Sequence, residues 1–595
     1  MKEAEWRMHA VRADFNGIAK EFHIDPVAAR VMVNRGVSTP DAIRQFLYGG
    51  LSDVGDPALM ADMTKAVKIM AAKIREGKKI RIISDYDVDG VMSNYILLMG
   101  LREAGADVSY EIPDRKLDGY GINERMIEDA HADGIDTIIT CDNGIAAFPA
   151  IELGKLYGMT VIVTDHHEVP YETDDAGERK YLMVPADAVV DIKRPDCPYP
   201  YKELCGAAVA YKFIRALYAE MGLAWPDEKK YIEYVAIATV CDVMALTGEN
   251  RIYVREGLKL LPLTENHGLQ ALLSLNGLEK KELSAYHLGF VIGPCINATG
   301  RLESAKEGLS LLLSETREEA LAKAEKVVEL NTERKDMTKA GTEEAIAQVE
   351  TMHASDHVLV VYLPKLHESL AGIVAGRVRE AFYKPVFVIT DAEDGGAKGS
   401  GRSIEGYHMY DALTEVSHLL TKFGGHELAA GFSLPREKID EFRKELNARE
   451  HLTEQDLTPV KRIDVPMPTS YASIALVRDL EKLAPFGKGN EKPLFGELRL
   501  GIRSASTFGK EGQFIRMKLV GAEGFTAEAV DFDAKSFIER IKMWFGEEDC
   551  DKMLRGLPNG IKIDILYYPE INSYGGRESV QIRPADYRKS DTEAQ

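Results

Sequence analysis

At 595 residues, with 45% hydrophobic and 28% charged side chains, the chain is long enough for about three to five domains and has the composition of an ordinary globular protein. It contains no apolar run of about 18 residues, which argues against a transmembrane helix. Met1–Trp6 carries no apolar signal core, so a cytoplasmic protein without a membrane partner is expected. Cys141, Cys197, Cys205, Cys241, Cys295 and Cys550 form no C-x-x-C pair, which argues against a disulfide scaffold or a structural zinc site and leaves small buried thiols. The net charge of −21 lacks the basic footprint of many nucleic-acid binders. Binding depends on where charges sit, however, and a carboxylate-rich metal centre adds acid where phosphate binds.

Residues 1–60 read as an N-terminal helical segment with connectors. Asp62–Glu76 is a predicted helix stopped by Gly77. Strand–helix alternation follows. Lys79–Ile83, Thr137–Thr140 and Thr160–Thr164 are predicted strands, separated by helical stretches such as Val91–Ala104 and Asn123–Ala132. This pattern predicts a parallel α/β sheet across residues 61–265. Residues 266–350 form a helical connector, in which Glu318–Glu350, rich in Ala, Glu, Lys and Leu, predicts one long helix joining two lobes. Val358–Tyr362 and Pro385–Thr390 are strands of a second, smaller α/β segment, residues 351–454. In residues 455–590, short strands at Leu498–Ile502, Phe514–Leu519 and Ile561–Leu566 between Gly-rich turns predict a small β-barrel or sandwich. The tail from about Lys589 is predicted to fray.

In an open parallel sheet, ligands bind beyond the carboxyl ends of the strands. Here the first predicted strand runs into Asp85-Tyr86-Asp87-Val88-Asp89-Gly90. The second runs into Asp142-Asn143-Gly144 and the third into Asp165-His166-His167. Asp242 follows the apolar stretch Val235–Val240. Taken singly, an Asp-rich turn is an N-cap and a His pair is a surface or core feature. Together they point to a metal centre, because unpaired clustered carboxylates repel one another and a divalent ion relieves them. A calcium loop fails, since its twelfth position is Ile96 instead of Glu and the run follows a strand. Oxygen ligands mixed with imidazole suit Mn2+ or Mg2+. So many acids over-supply one ion and fit two, about 3.5–4 Å apart.

These four segments, in this order, resemble the motifs of the DHH phosphoesterase superfamily. Asn297-Ala298-Thr299-Gly300-Arg301, Gly372–Arg377, Ser400–Ser403 and Gly424-Gly425-His426 resemble the substrate-binding motifs of the associated DHHA1 domain. Leu483–Asn490, leading into Pro493–Phe495, resembles the segment before the OB-fold of the RecJ family of exonucleases. The likeness covers nearly the whole chain. Thr299 is a small departure, standing where Ala is more usual. A second is Ile83, since related enzymes often carry a His early in the first motif.

The resemblance implies a parallel-sheet DHH domain and a smaller α/β DHHA1 domain joined by a long helix, plus a C-terminal OB-fold barrel. It implies that Asp85, Asp87 and Asp142 hold one ion, and that Asp89, Asp142, His166 and Asp242 hold the other, with Asp142 as the bridge. His167 would face the substrate phosphate or leaving group, and Asp165 would orient a ligating imidazole. Asn297, Arg301, Arg377, Ser400, Arg402, Gly424, Gly425 and His426 would bind substrate, the guanidinium groups matching phosphate in bidentate fashion. In the barrel, Phe508, Lys510, Phe514, Arg516 and Lys518 are candidates for contacting the strand. The implied activity is a single-stranded-DNA-specific 5′→3′ exonuclease of DNA repair and recombination that releases 5′-mononucleotides, with a helicase and a single-strand-binding protein as partners and a monomer as the default state. Two other readings stand beside it. One is a DHH phosphodiesterase or phosphatase on small substrates, such as short oligonucleotides and cyclic dinucleotides, which leaves the C-terminal barrel unexplained. The other is a non-catalytic DNA-binding scaffold, which the filled ligand positions disfavour.

Overall fold

The computed structural model describes every residue except 1–2, 116–117, 120, 175–176, 393–394, 575 and 591–595. The chain forms two compact units. One comprises residues 49–457 with 487–489, and the other residues 1–48, 458–486 and 490–595.

The first unit is built on a five-stranded sheet of β1 (Lys79–Ser84), β2 (Asp107–Glu111), β3 (Thr137–Cys141), β4 (Thr160–Asp165) and β5 (Ala188–Asp191). All pairings are parallel, in the order β2-β1-β3-β4-β5. The central strands are rich in Ile and Val and mostly buried, β3 and β4 on both faces, as parallel sheets require. The order reverses between β1 and β3, and such a switch point is where open α/β sheets bind ligands. Three helices, α1 (Val88–Glu103), α2 (Gly206–Met221) and α3 (Ile232–Cys241), pack on one another and are buried over most of their length. The edge strand β2 is half-exposed and β5 has only four residues, so neither gives the apolar run that marks the other three.

Next come α4 (Gly293–Leu302) and the 36-residue α5 (Arg317–Met352), which matches the predicted long helix. A second sheet follows, made of β6 (Leu359–Tyr362), β7 (Val386–Asp391), β8 (Ala397–Arg402), β9 (Lys422–Gly425) and β10 (Ala429–Leu434), with α6 (Ala371–Phe382) between its first two strands. Its order is β9-β10-β8-β7-β6. Only β6 and β7 are parallel.

The second unit holds a barrel of β11 (Phe495–Phe508), β12 (Phe514–Val520), β13 (Thr526–Asp531), β14 (Lys562–Tyr574) and β15 (Arg577–Lys589), with helix α7 (Ala534–Leu554) between β13 and β14. The ring runs β11-β12-β13-β15-β14 and closes through β14 on β11. This is the predicted barrel with longer strands, kept continuous through register shifts such as that between Ile502 and Ser504. Residues 1–48 do not stand apart as a separate segment. Glu5–Met8 pairs in parallel with Val460–Ile463, and Phe22, Ala28, Met32 and Ile43 share one apolar core with Leu480, Phe495 and Ile515. The fraying predicted from Lys589 is not seen at Lys589 or Ser590. Lys589 closes β15, and Ser590 Oγ donates to Asp564 Oδ1 at 2.6 Å, while residues 591–595 lie outside the described residues.

One buried polar network ties the loop before the first sheet to its helices. Lys212 Nζ sits 2.9 Å from Glu249 Oε2 and donates to the Gly55 carbonyl at 2.9 Å. Tyr199 OH donates to Glu249 Oε1 at 2.6 Å, and the ammonium lies over the Tyr199 ring. Removing one member of a buried, hydrogen-bonded ion pair leaves the other charge unpaired. Lys212→Ala is therefore expected to destabilise this unit by about 3–5 kcal/mol. Urea unfolding followed by circular dichroism measures it. A loss below about 1 kcal/mol would show that the pair contributes no more than a surface one.

Candidate metal centre and phosphate pocket

Side chains from three strand ends and one helix end converge at the switch point. Behind β1, Asp85 is buried and Asp87 caps α1, its Oδ1 accepting from Gly90 N at 3.1 Å. The capping role that Asp-rich turns commonly have is thus real for Asp87. Asp89, in the first turn of α1, is gripped by the start of α2. Gly206 N donates to its Oδ2 at 2.6 Å and Ala207 N to its Oδ1 at 2.7 Å. Behind β3, Asp142 adopts φ +60°, a left-handed conformation that non-glycine residues rarely hold outside functional sites. Asn143 locks that turn, its Nδ2 donating to the carbonyls of Ile83 (3.2 Å) and Cys141 (2.9 Å). Gly206 leaves the room needed, since a Cβ there would sit 2.7 Å from Asp142 Cβ.

The histidines behind β4 split in role. His166 Nε2 lies 2.9 Å from Asp142 Oδ1, 3.5 Å from Asp89 Oδ2 and 3.7 Å from Asp242 Oδ2. His167 Nδ1 lies 2.7 Å from Asp165 Oδ1, which also accepts from the backbone N–H of His166 at 2.7 Å. The imidazole that Asp165 orients is therefore that of His167, while it meets His166 only through the main chain. Ligand atoms gather within 4.8 Å of one another in three groups: Asp85 with Asp87 and Asp142, Asp89 with His166 and Asp242, and Asp142 with both histidines.

The electrostatics follow from burial of like charges. Burial, then Asp87, pushes Asp85 up to about 8 and Asp89 up to about 7. Burial, then Asp89 and Asp87, pushes Asp242 up to about 8. Burial and four neighbouring carboxylates push Asp142 well above the usual range. Burial, then His167, lowers His166 to about 3 and keeps its ring neutral, the form that binds a metal. Burial opposes charge on His167 as well, but Asp165 outweighs it and raises the ring to about 9. Conversely, His167 offsets the burial of Asp165 and holds that carboxyl below its usual range. Asp85 Oδ1 is buried with no hydrogen-bond partner. An orphaned carboxylate oxygen among acids and a neutral imidazole is a donor set for divalent cations of the Mn2+ and Mg2+ type.

A cavity of about 470 Å3 adjoins this centre. Arg115, Arg301, Lys398, Arg402 and Lys422 give it five cations, with Ser400 and the acid Glu368 beside them. Tyr86, which stands between Asp85 and Asp87, forms part of its wall, and the Arg115 guanidinium lies 4.9 Å over the Tyr86 ring. Burial, then Arg115 and Arg334, lowers Arg301 to about 9, and burial, then Arg379 and Arg115, lowers Arg402. Glu368 pairs with Lys398 at 2.9 Å, and the surplus of crowded cations forms a receptor for a multiply charged anion. Gly300 lets α4 approach the first motif, because a Cβ there would meet the Tyr86 carbonyl at 2.7 Å. Thr299 fits without strain, its hydroxyl donating to the Ile296 carbonyl at 2.7 Å.

Residues 79–239 match the DHH family, N-terminal domain, residues 355–451 the DHHA1 domain, and residues 463–586 the RecJ OB domain. The chain is 33% identical over 577 residues to the single-stranded-DNA-specific exonuclease RecJ of Bacillus subtilis, covering 96% of this chain and 69% of that one. It is 31% identical over 582 residues to the enzyme of the same name from Salmonella typhimurium, covering 94% and 95%. The crystal structure of RecJ in complex with Mn2+ from Thermus thermophilus superposes with a TM-score of 0.81 at 26% identity, over 99% of this chain and 80% of that one. The chain belongs to the RecJ family.

Not every residue expected from the RecJ-family resemblance joins the two sites. Arg301, Ser400, Arg402 and Gly424 line the cavity. Arg377 is exposed on α6 and Asn297 is half-buried on α4, and neither lines it. Gly425 ends β9 and His426 opens the exposed turn to β10. A Cβ on Gly425 would collide with the Ala429 carbonyl at 2.5 Å, so that glycine serves the hairpin. Sequence reasoning missed Tyr86, Arg115, Lys398, Lys422 and Asp191. Asp191 ends β5 in register with Asp165, and burial, then Asp165, raises it to about 8. Its signal was there to find, since Val189-Val190-Asp191 is a further strand ending in an acid.

The raised carboxyls make stability depend on pH and metal. The folded state holds protons on Asp85, Asp89 and Asp242 that the unfolded chain releases above about pH 4. Their contribution is full below that point and is lost as pH rises through about 7 to 8. Protein stripped with a chelator is expected to melt lower at about pH 8.5 than at about pH 6, and Mn2+ is expected to remove most of that difference. Calorimetric melting with and without Mn2+ decides. Equal melting at both pH values in the stripped protein would mean that the cluster is not strained by its charge.

Proposed function

We propose that this chain is a metal-dependent exonuclease that hydrolyses single-stranded DNA from a 5′-phosphorylated end and releases 5′-mononucleotides. The observation that carries this reading is the shared wall at Tyr86. It sets a five-cation pocket beside an acid–imidazole cluster, so that one phosphate can be held while the next is cut. Asp85, Asp87 and Asp142 would hold one divalent ion, and Asp89, Asp142, His166 and Asp242 the other. When bound, Mn2+ or Mg2+ supplies Lewis acidity, neutralising the carboxylates, polarising the phosphodiester and making a water nucleophilic near neutral pH.

The chain's own residues do the rest. Arg115, Arg301 and Arg402 bind the terminal 5′-phosphate, whose double charge suits crowded guanidinium groups. That placement aligns the next phosphodiester with the acid cluster. Asp165 fixes His167 through Nδ1, which leaves Nε2 to the substrate. His167 Nε2–H passes its proton to O3′ of the terminal nucleoside as water adds to phosphorus and the P–O3′ bond breaks. The remaining strand then carries a 5′-phosphate of its own, ready for the same pocket. On this reading, a helicase that opens duplex and a single-strand-binding protein are the natural partners, the protein is cytoplasmic, and it acts as a monomer.

The test is digestion of a long single strand with Mn2+, labelled at the 5′ or the 3′ end in separate reactions, beside the same strand as duplex. Early release of 5′ label as mononucleotide, a spared duplex and an inactive Asp142→Ala are expected. Arg402→Ala is expected to raise KM for 5′-phosphorylated strands by roughly tenfold or more, with much less effect on strands ending in 5′-hydroxyl. Turnover of dinucleotides without any cutting of long strands would move the protein to the small-substrate branch of the superfamily.

A further inference from the structure

The segment Leu483–Asn490 contributes no residue to the acid–imidazole cluster or to the phosphate pocket. Residues 487–489 belong to the compact unit that holds the metal centre. Leu246 N donates to the Lys488 carbonyl at 2.8 Å, which pins the segment to the loop that begins at Asp242. The flanking glycines have packing reasons. A Cβ on Gly487 would lie 2.7 Å from Leu246 Cδ1. Gly489 holds φ +72° with its α-carbon pressed towards Ala245 and Thr247. Nothing in the packing asks for Lys488. Its side chain is exposed, and it makes no ion pair with a described residue. It is near enough to Asp242 to offset part of the burial and carboxylate repulsion that raise that group.

The position has a direction. The cationic pocket borders the metal centre at Tyr86, next to Asp85 and Asp87. Asp242 belongs to the other ligand group, with Asp89 and His166. A strand with its terminal phosphate in the pocket and its next phosphate at the metals continues past Asp242. We propose that Lys488 binds the first backbone phosphate beyond the scissile one. This makes it a residue that distinguishes strands from dinucleotides, and it rests on the exonuclease reading above.

The experiment compares Lys488→Gln and Lys488→Arg with the wild type on three 5′-phosphorylated substrates: a dinucleotide, which has no phosphate beyond the cut, a trinucleotide, which has one, and a long single strand. For Lys488→Gln, KM on the trinucleotide and the long strand is expected to rise roughly fivefold with kcat little changed, while KM on the dinucleotide stays at the wild-type value. The slope of log KM against log salt on the long strand is expected to fall by about 0.7, the share of one phosphate contact on a single strand. Lys488→Arg is expected to restore both. Equal losses on all three substrates, or unchanged KM and slope on the long strand, overturn the proposal. A wild type that neither cuts nor binds strands overturns the exonuclease reading instead, and this inference with it. Matching melting curves establish that each variant is folded.

Discussion

The organising constraint is the concentration of negative charge in a place that water barely reaches. Asp85, Asp89, Asp142, Asp165 and Asp191 are all buried at the carboxyl edge of one sheet, with Asp87 and Asp242 close by. Such a group can persist only with protons or cations among its oxygens. Much of the surrounding architecture limits the damage. The first turn of α2 donates two N–H groups to Asp89, Asn143 holds Asp142 in a strained turn, and Asp165 spends its hydrogen-bonding capacity on His167 and nearby backbone. These devices fix where the carboxylates point, but none of them cancels the charge. Cation binding is thus the completion of the fold at this edge, and the same ions are what a phosphodiester needs when it arrives.

Substrate would bring still more negative charge, and on the other side of Tyr86 stand five cations with one acid among them. Pocket and cluster oppose one another in sign. Charge on either would be poorly tolerated alone. Set side by side they are complementary in charge to a chain of phosphates spaced along a flexible backbone.

How much of this could be seen in the amino-acid order depended on whether the signal was local. Parallel strands that are mostly buried are rich in β-branched apolar residues, so β1, β3 and β4 and the acids after them were legible, as was the Gly-poor helix α5. Edge and short strands were not, because β2 is half-exposed and β5 is four residues long. The acid cluster was legible because each ligand follows its strand directly. The phosphate pocket was only partly so. Its cations come from a loop at Arg115, from α4 and from two strands of the second sheet, which nothing in local periodicity brings together. Arg377 and His426 illustrate the converse. They sit inside recognisable motifs, yet the side chains fall outside the cavity. In the barrel, alternation revealed the strands but not their length, because irregular register lets a strand bend and continue.

The net charge of −21 now has a mechanistic sense. Exposed acids further than about 8 Å from a bound strand are screened at physiological ionic strength, so they do little to oppose contact binding. Strong attraction can then come from local clusters of cations such as the pocket. An internal phosphate carries one negative charge and is tethered on both sides, whereas a terminal phosphate carries nearly two and is tethered on one. Five clustered cations favour the second by charge, and a cavity of about 470 Å3 favours it by shape. Preference for an end can therefore arise without any element that measures the end as such, from strong local attraction at the pocket.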